Sequence, residues 1–333
     1  MFIADALESR VQNHREPDGA QFAYQGPRTS ENPNVKGEST VPKIVAYLGL
    51  GTMGGAMTNN LLKAGFVVHG YDPAPEARAR AEAAGAKTFD SPAEAAAEAE
   101  VICSSVPETQ DVHETYLGEK GALLTAKEGV VCFDFSTIAP GGSQAIAAEA
   151  AEKGAIFLDT PVSGSEPSAI SAELNVMVGG DEAAMDRHRD VLEAVSESIN
   201  HFGPNGAGLH MKLVANQIVS VFLSVVSEGL TLGERSGLDP VEMMDYLKNA
   251  SIPKILAIKG SALASRDYTP YFRVDLMRKD LRLISEMAEA ATTPTPFAAL
   301  ARQVFIATSA MGFGEVDQNA VREFFDKTAG LSA

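Results

Sequence analysis

A short apolar segment followed at once by three spaced glycines constrains this chain more than any other feature. The segment from Ile44 to Leu48 is typical of a buried β-strand, and Gly49, Gly51 and Gly54 follow it with the spacing Gly-x-Gly-x-x-Gly. A helical pattern of apolar residues begins directly after the glycines. This order of strand, glycine turn and helix is typical of the first unit of a dinucleotide-binding fold.

Each residue of this turn has a predicted role. Gly49 permits the tight turn, Gly51 lets the backbone approach the pyrophosphate, and Gly54 lets the helix pack closely on the strand. Thr52 and Met53 lie between the last two glycines, at the predicted amino end of the helix. Unpaired N–H groups and the helix dipole favour an anion there. We expect all five residues to form the cofactor site.

A carboxylate further along the chain indicates which dinucleotide is bound. Residues 66–71 predict the second strand, and Asp72 stands at its end. A carboxylate at this position accepts hydrogen bonds from the ribose hydroxyls of NAD and repels the 2′-phosphate of NADP. We therefore expect NAD to be favoured, with NADP still possible because Arg78 could offset the repulsion. The alternative is that Asp72 only caps the next helix.

Length and charge limit the class of function. The 333 residues are enough for about two domains. The 27 Lys and Arg against 44 Asp and Glu give a net charge of −17, which argues against nucleic acid or an anionic membrane as a partner. The two cysteines have no CxxC spacing and the histidines no paired-ligand spacing, so we predict no metal. No run of apolar residues is long enough to predict a membrane span.

Residues 1–42 differ from the rest of the chain. They are rich in Asn, Pro, Gly, Gln, Glu and Ser, and their apolar residues are scattered. We expect a mostly disordered extension. It has neither the apolar core of a secretory signal nor the acid-poor, Arg-rich helix of an organelle transit peptide, so the expected location is the cytoplasm.

From residue 43 onward, short apolar strands alternate with helices rich in alanine and glutamate. This alternation is typical of a mostly parallel sheet with helices on both faces. Strands are predicted at residues 44–48, 67–71, 101–105, 130–135, 156–159, 176–178 and 198–202. Only helical patterns follow, at residues 206–233, 240–249, 253–264, 275–291, 296–310 and 319–325. We therefore predict a Rossmann-type, doubly wound α/β domain over residues 43–204 and an all-helical domain for substrate binding and oligomerisation over residues 205–333.

The first helix of the second domain carries the strongest candidate catalytic residue. Lys212, Asn216 and Ser220 recur every four residues and so share one helix face. Their neighbours are mostly apolar, so Lys212 must be desolvated, paired or close to the cleft between the domains, because burial disfavours its charge. The alternative is a lysine that extends to solvent near the start of the helix.

Four short motifs occur in order along the chain. They are residues 49–54, residues 159–164 (Asp-Thr-Pro-Val-Ser-Gly), residues 206–212 (Gly-Ala-Gly-Leu-His-Met-Lys) with Asn216, and residues 279–281 (Lys-Asp-Leu). Together they make the chain resemble the β-hydroxyacid dehydrogenase family, which includes 3-hydroxyisobutyrate dehydrogenase and tartronate semialdehyde reductase. The resemblance runs from residue 43 to the C-terminus.

The resemblance implies roles for individual residues. Lys212 would be the general acid/base, which takes the proton from the 3-hydroxyl of a small hydroxycarboxylate during oxidation, and Asn216 would position the substrate or the lysine. Ser163 and Gly164 would hold the substrate carboxylate. On the cofactor side the resemblance implies six further residues: Val106, Pro107, Ser136, Thr137, Lys279 and Asp280.

The substrate loop departs from the family pattern. Three of its usual glycines are replaced by Ser165, Ser168 and Ala172, and Pro167 stands among them. Side chains and a fixed φ thus replace permissive backbone where the substrate is expected, so we predict a reshaped pocket. Near the C-terminus, residues 317–320 (Asp-Gln-Asn-Ala) replace the usual Asp-x-Ser-Ala, which changes the far wall of the cleft.

The leading hypothesis is an NAD(P)-dependent 3-hydroxy acid dehydrogenase or, in the reverse direction, a semialdehyde reductase. One alternative is an imine reductase, although such enzymes usually lack the lysine and carry an NADP-type loop, so Lys212 and Asp72 argue against it. Another is a non-catalytic scaffold that keeps the fold for oligomerisation. Apolar patterns over residues 218–232 and 304–311 predict a homodimer or homotetramer.

Overall fold

The computed structural model describes residues 42–235, 237–250, 254–292 and 294–331. The predicted N-terminal extension, apart from its last residue, lies outside these ranges. So does the predicted start of the third helix of the second domain, at residue 253.

Nine strands form one sheet in the part of the chain that the structure describes. They are β1 (Ile44–Leu48), β2 (Val67–Tyr71), β3 (Lys87–Thr88), β4 (Val101–Ser104), β5 (Val131–Asp134), β6 (Ile156–Asp159), β7 (Val162–Ser163), β8 (Leu174–Gly179) and β9 (Ser196–Gly203).

Helices cover the sheet, and the regular elements that the structure describes after β9 are helices. They are α1 (Thr52–Lys63), α2 (Pro75–Ala84), α3 (Pro92–Ala96), α4 (Thr109–Leu117), α5 (Pro140–Glu152), α6 (Glu166–Ile170), α7 (Glu182–Arg187), α8 (Arg189–Glu193), α9 (Ala207–Arg235), α10 (Pro240–Ala250), α11 (Lys254–Ser265), α12 (Val274–Ala290), α13 (Pro296–Thr308) and α14 (Val321–Thr328). Two short 3₁₀ helices, Ala122–Leu124 and Gln318–Ala320, and a π-helical turn, Ser309–Phe313, complete the set.

The strand order places a binding crevice at the end of β1. The order is β3-β2-β1-β4-β5-β6-β8-β7, with β9 pairing to β8. Strands β1 to β6 pair in parallel, whereas β8 is antiparallel to β6 and β7. The chain moves outward from β1 in one direction to β3 and then returns to β4 on the other side. Open α/β sheets bind ligands at the carboxyl ends of the strands beside such a switch point.

The sheet is wound on both faces. Because side chains alternate along a strand, Val45 and Tyr47 of β1 face one layer and Ala46 and Leu48 face the other. The first pair packs in one core with α1, α2, α6, α7 and α8, and the second pair packs in another with α3, α4 and α5. A third core lies among the helices after β9. The predicted doubly wound sheet with a helical C-terminal domain is confirmed.

Differences from the predicted elements are local. Strands β3 and β7 were not predicted, because two residues are too short to show a period. The helix predicted at residues 296–310 ends as α-helix at Thr308 and continues as the π-helical turn, where Gly312 has a φ of +97°. A left-handed residue cannot continue an α-helix, so the chain turns away there.

Helix α9 contributes both to one of the two cores at the sheet and to the helical core. It has 29 residues and spans about 44 Å at the usual helical rise. Its segment Ala207–Thr231 is long and apolar enough to cross a membrane by length and composition alone, and no other helix of the described residues is. Leu213, Leu223 and Leu230 are buried in the helical core, so packing against α12, α13 and α14 accounts for part of the apolar composition.

Candidate active site

The glycine turn after β1 is shaped by two close backbone approaches. Gly49 has a φ of +94°, and a Cβ added to it would lie 2.3 Å from the carbonyl oxygen of Ser105. A Cβ on Gly54 would lie 1.9 Å from the carbonyl oxygen of Gly49. A Cβ on Gly51, by contrast, would meet no protein atom within 4 Å. The open space in front of Gly51 is therefore available to a ligand.

A cleft of about 670 Å³ opens in front of this turn. In the described part of the chain, no side chain caps the amino end of α1, so its first N–H groups are free to bind an anion. These features fit the pyrophosphate of a dinucleotide. The cleft brings together ten residues predicted to contact the cofactor: Gly51, Thr52, Met53, Gly54, Val106, Pro107, Ser136, Thr137, Lys279 and Asp280.

Asp72 lies beside the turn and holds it. Its Oδ2 accepts a hydrogen bond of 2.7 Å from the N–H of Leu50, and its Oδ1 accepts one of 2.8 Å from the N–H of Ala74, just before α2. Each carboxylate oxygen can accept a second bond. Arg78 donates to the carbonyl oxygen of Asp72 at 2.6 Å and lies 3.9 Å from the carboxylate of Asp90. Asp72 therefore combines capping of α2 with a position at the glycine turn.

Asp134 is a buried carboxylate that orders the side of the cleft opposite the glycine turn. The sequence had not indicated a role for it. Asp134, at the end of β5, accepts hydrogen bonds from Ser104 at 2.7 Å and from Ser136 at 2.6 Å. Ser136 in turn accepts one from the N–H of Val106 at 2.9 Å. Burial raises the pKa of Asp134 to about 6, against the lowering effect of these hydrogen bonds. The loops after β4 and β5 are thus tied to one anchor.

Lys212 lies where two cavities meet. Its side chain is only 7% exposed, and it lines both the large cleft and a second cavity of about 190 Å³. Burial lowers its pKa below the ordinary value of 10.5; the charge of Asp280 opposes this effect and that of Lys279 adds to it. Among the described residues, none accepts a hydrogen bond from its amine. The amine is therefore free to act on a ligand.

A chain of polar contacts links Lys212's helix to the large cleft. Asn216, one turn after Lys212, donates a hydrogen bond of 2.5 Å to Asp280 on α12. The other carboxylate oxygen of Asp280 lies 3.1 Å from the amine of Lys279. Lys279 donates to the carbonyl oxygen of Thr137 at 2.8 Å. The contacts join α9, α12 and the loop after β5, and they include an ion pair between Lys279 and Asp280.

Asp159 sets the position of α9. It stands at the end of β6, is 1% exposed, and accepts hydrogen bonds from the N–H groups of Gly206 at 2.6 Å and Leu209 at 3.0 Å. A carboxylate at a helix amino end is favoured by the helix dipole. Burial raises its pKa above the ordinary 3.8, although the backbone donors oppose this. Its role was missed from the sequence; a carboxylate that ends a buried strand was the available signal.

The smaller cavity contains the residues predicted to bind the substrate. Ser163 and Gly164, at the end of β7, lie in its wall together with Lys212 and Asn216. Ser165 and Ser168, which replace family glycines, also line it. Of the remaining polar lining, Gln318 lies in the segment 317–320 that was predicted to change the far wall of the cleft, whereas Lys259 was not predicted.

Ala172 has a backbone conformation that favours glycine. Its φ is +60°, in the left-handed region, which costs an L-residue about 1–2 kcal/mol. The alanine therefore stands at a position of the loop where a glycine would be less strained.

The ranges that the structure describes contain no group of three or more His, Cys, Asp or Glu side chains that could hold a metal ion. Cys103 and Cys132 are buried, and neither forms a disulfide.

Comparison with known proteins decides the family. Residues 44–203 match the family described as the NAD binding domain of 6-phosphogluconate dehydrogenase, and residues 206–325 match the NAD-binding family of NADP-dependent 3-hydroxyisobutyrate dehydrogenase. The chain is 36% identical to an NAD-dependent L-serine dehydrogenase of Pseudomonas aeruginosa over 86% of its own length and 99% of that protein. It belongs to the 3-hydroxyisobutyrate dehydrogenase family.

Solved structures agree with this assignment. The structure of 3-hydroxyisobutyrate dehydrogenase from Mycobacterium tuberculosis with L-serine is 34% identical, with a TM-score of 0.77, and the match covers 85% of this chain and 99% of that one. An imine reductase from Pseudomonas sp. is 18% identical, with a TM-score of 0.55 and coverage of 85% and 99%, and so shares the fold alone. The predicted family, that of NAD(P)-dependent dehydrogenases acting on hydroxy acids, is confirmed, as is a nicotinamide cofactor.

Proposed function

We propose that this protein transfers a hydride reversibly between a nicotinamide cofactor, preferentially NAD, and the 3-hydroxyl carbon of a small hydroxycarboxylate, with Lys212 as general acid/base. One observation carries the proposal: the amine of Lys212 is buried, has no hydrogen-bond acceptor among the residues that the structure describes, and is shared by the cofactor-sized cleft and the smaller cavity. A side chain in this position can exchange a proton with a substrate whose carbon faces the cofactor.

The two cavities give separate places to the cofactor and the substrate. The residues of the glycine turn and of the large cleft would hold the nicotinamide cofactor, which would supply the hydride-transfer chemistry. Ser163 and Gly164 hold the substrate carboxylate in the smaller cavity, and Lys212 takes the proton of the 3-hydroxyl during oxidation. In reduction the protonated lysine returns it. The lowered pKa of Lys212 brings a lysine toward the range in which a base works near neutral pH.

A screen of the purified protein tests the reaction. With NAD or NADP and a series of short 3-hydroxy acids, including 3-hydroxyisobutyrate and L-serine, absorbance of the reduced cofactor should rise with at least one acid. Oxidation of none of them, together with NAD(P)H-dependent reduction of cyclic imines, would instead support the imine reductase alternative. Binding of the cofactor with no turnover of either class would support the scaffold alternative.

Asp72 supports the preference for NAD. In Asp72→Ala, the KM for NAD should rise about tenfold, because a charge-assisted hydrogen bond to the ribose is lost, whereas the KM for NADP should change little or fall. Initial rates with both cofactors measure this. Asp90→Ala is the matched control, since this carboxylate is also beside Arg78 but is 90% exposed. A larger rise for NADP than for NAD would contradict the preference.

We also propose a homodimer or homotetramer formed through α9 and α13. Val214, Ile218 and Val225 form an exposed stripe on α9, and Phe297 and Leu300 are exposed on α13. The surface predicted at residues 304–311 was wrong in part, because the side chains at 304 and 305 are buried in the helical core. An apolar surface of this kind is typical of an interface between copies.

Light scattering tests the oligomer. The wild type at micromolar concentration should have a mass two or four times 35.1 kDa, and Ile218→Asp should shift it toward the monomer. Leu124→Asp is the control, since Leu124 is equally exposed but lies outside the helical domain. A monomeric wild type would exclude the assembly.

A further inference from the structure

The substrate cavity has a polar end that the proposed reaction does not use. Lys212 and Gly164 line both the smaller cavity and the cofactor cleft, whereas Lys259 and Gln318 line only the smaller one. The last two residues therefore belong to the part of the pocket that is not shared with the cofactor cleft. A substrate held by its carboxylate and its reacting hydroxyl would direct another part of its carbon skeleton toward them.

Gln318 presents an acceptor without a partner. It is 4% exposed, and its backbone N–H donates to the carbonyl oxygen of Phe272 at 2.8 Å, which fixes its position at the 3₁₀ turn before α14. Its Oε1 is buried and accepts no hydrogen bond from any described residue. Leaving a buried acceptor unpaired is unfavourable, and buried polar groups in native proteins are nearly always paired. A donor on the substrate would satisfy it.

Lys259 presents a donor at the same end. Its amine lies 3.3 and 3.4 Å from the two carboxylate oxygens of Asp317. Asp317 is itself held by the N–H groups of Tyr271, Phe272 and Asn319, so it anchors the lysine firmly. An ammonium group has three donors. Its contacts with Asp317 use at most two of them, which leaves one for a ligand.

An acceptor and a donor that line the same cavity together favour a group that can both donate and accept. A hydroxyl does both, whereas a methyl does neither. An ammonium group has no lone pair and repels Lys259, and a carboxylate cannot donate to Gln318. We propose that Gln318 and Lys259 form a subsite for a second hydroxyl, so that the substrate is a 3-hydroxy acid with a further hydroxyl on its carbon chain. This inference depends on the proposed function.

Matched substrates test the subsite in the wild-type protein with NAD. Glycerate, 3-hydroxyisobutyrate and serine carry a hydroxyl, a methyl and an ammonium group on the same carbon, and 3,4-dihydroxybutyrate differs from 3-hydroxybutyrate by one hydroxyl. In at least one series the hydroxylated acid should have a kcat/KM about tenfold or more above the others, because a site built around a hydroxyl discriminates strongly against analogues that lack it. Equal or higher kcat/KM for the methyl or ammonium compound in both series would overturn the subsite.

Two variants assign the discrimination to these residues. In Gln318→Leu and Lys259→Met, kcat/KM for the hydroxylated acid should fall about tenfold more than kcat/KM for its apolar counterpart. Lys153→Met is the control, since Lys153 lies at the exposed end of α5. It should leave the ratio of the two kcat/KM values unchanged. If both variants fold and both keep the wild-type ratio of kcat/KM for the hydroxylated acid to kcat/KM for its apolar counterpart, the proposal is overturned. If one variant fails to fold, the ratio in the other variant and the ratio in the wild type decide. Oxidation of no acid at all would reject the proposed function itself, whereas oxidation without a hydroxyl preference would reject only the subsite.

Discussion

Replacement of Lys212 by alanine should lower kcat for hydroxy acid oxidation by about 10²- to 10⁴-fold, the usual contribution of a positioned acid/base group. The amine is buried at the junction of the two cavities and has no described residue as an alternative partner. The nearby carboxylate of Asp280 does not replace it directly, because it is already paired with Asn216 and Lys279. The affinity for NAD should remain nearly unchanged, since the glycine turn is intact.

This result is diagnostic because Lys212→Ala should slow hydride transfer without weakening the binding of NAD. Stopped-flow measurement of a single turnover gives the rate of hydride transfer, and titration of protein fluorescence or calorimetry gives the dissociation constant of NAD. Lys153→Ala removes a lysine from an exposed position and serves as the control for the loss of one positive charge. Turnover within about twofold of the wild type in Lys212→Ala would remove this lysine from the proton transfer.

Replacement of Asp159 by alanine should destabilise the protein by about 2–4 kcal/mol, because the buried N–H groups of Gly206 and Leu209 lose their acceptors. The same change should lower kcat, since Lys212 is carried by the helix that Asp159 holds. Asp159→Asn keeps one acceptor oxygen and should cost less. Urea unfolding followed by circular dichroism measures the stability, and initial rates measure kcat.

A second aspartate separates this effect from ordinary helix capping. Asp181 accepts a hydrogen bond of 2.6 Å from the N–H of Ala184 at the start of α7, but it is exposed and far along the chain from Lys212. Asp181→Ala should cost about 1 kcal/mol, as is typical for the loss of an N-cap, and leave kcat unchanged. Equal losses of stability and of kcat in the two variants would contradict the special position of Asp159.

The parts of the fold that depend on neighbouring residues were predictable from the sequence. Apolar runs predict strands because the parallel sheet is buried on both faces, and the ends of β1, β2 and β6 were predicted to the residue. The glycine turn was predictable because Gly49 and Gly54 meet local steric requirements, namely the close backbone approaches at these two positions. The burial of Lys212 was predictable because most of its neighbours along the helix are apolar.

Contacts between distant segments were not predictable in the same way. Asp159 meets α9 across more than forty residues of chain, and Gln318 and Lys259 reach one cavity from different helical turns. Nothing in the residues around Gln318 indicates that its amide lies unpaired in a pocket, because that property depends on how α11, α12 and the turn before α14 pack together. The polar end of the substrate pocket therefore became visible only in three dimensions.

The pH dependence of hydride transfer tests the central claim most directly. Oxidation needs the neutral lysine, so the rate of oxidation should rise with pH along one sigmoidal limb of the pH–rate profile. The midpoint of this limb should lie below 10.5, because burial lowers the pKa of Lys212. Reduction needs the protonated lysine and should fall along the same limb. Both limbs should be absent from Lys212→Ala. A limb that persists unchanged in that variant would show that another group transfers the proton.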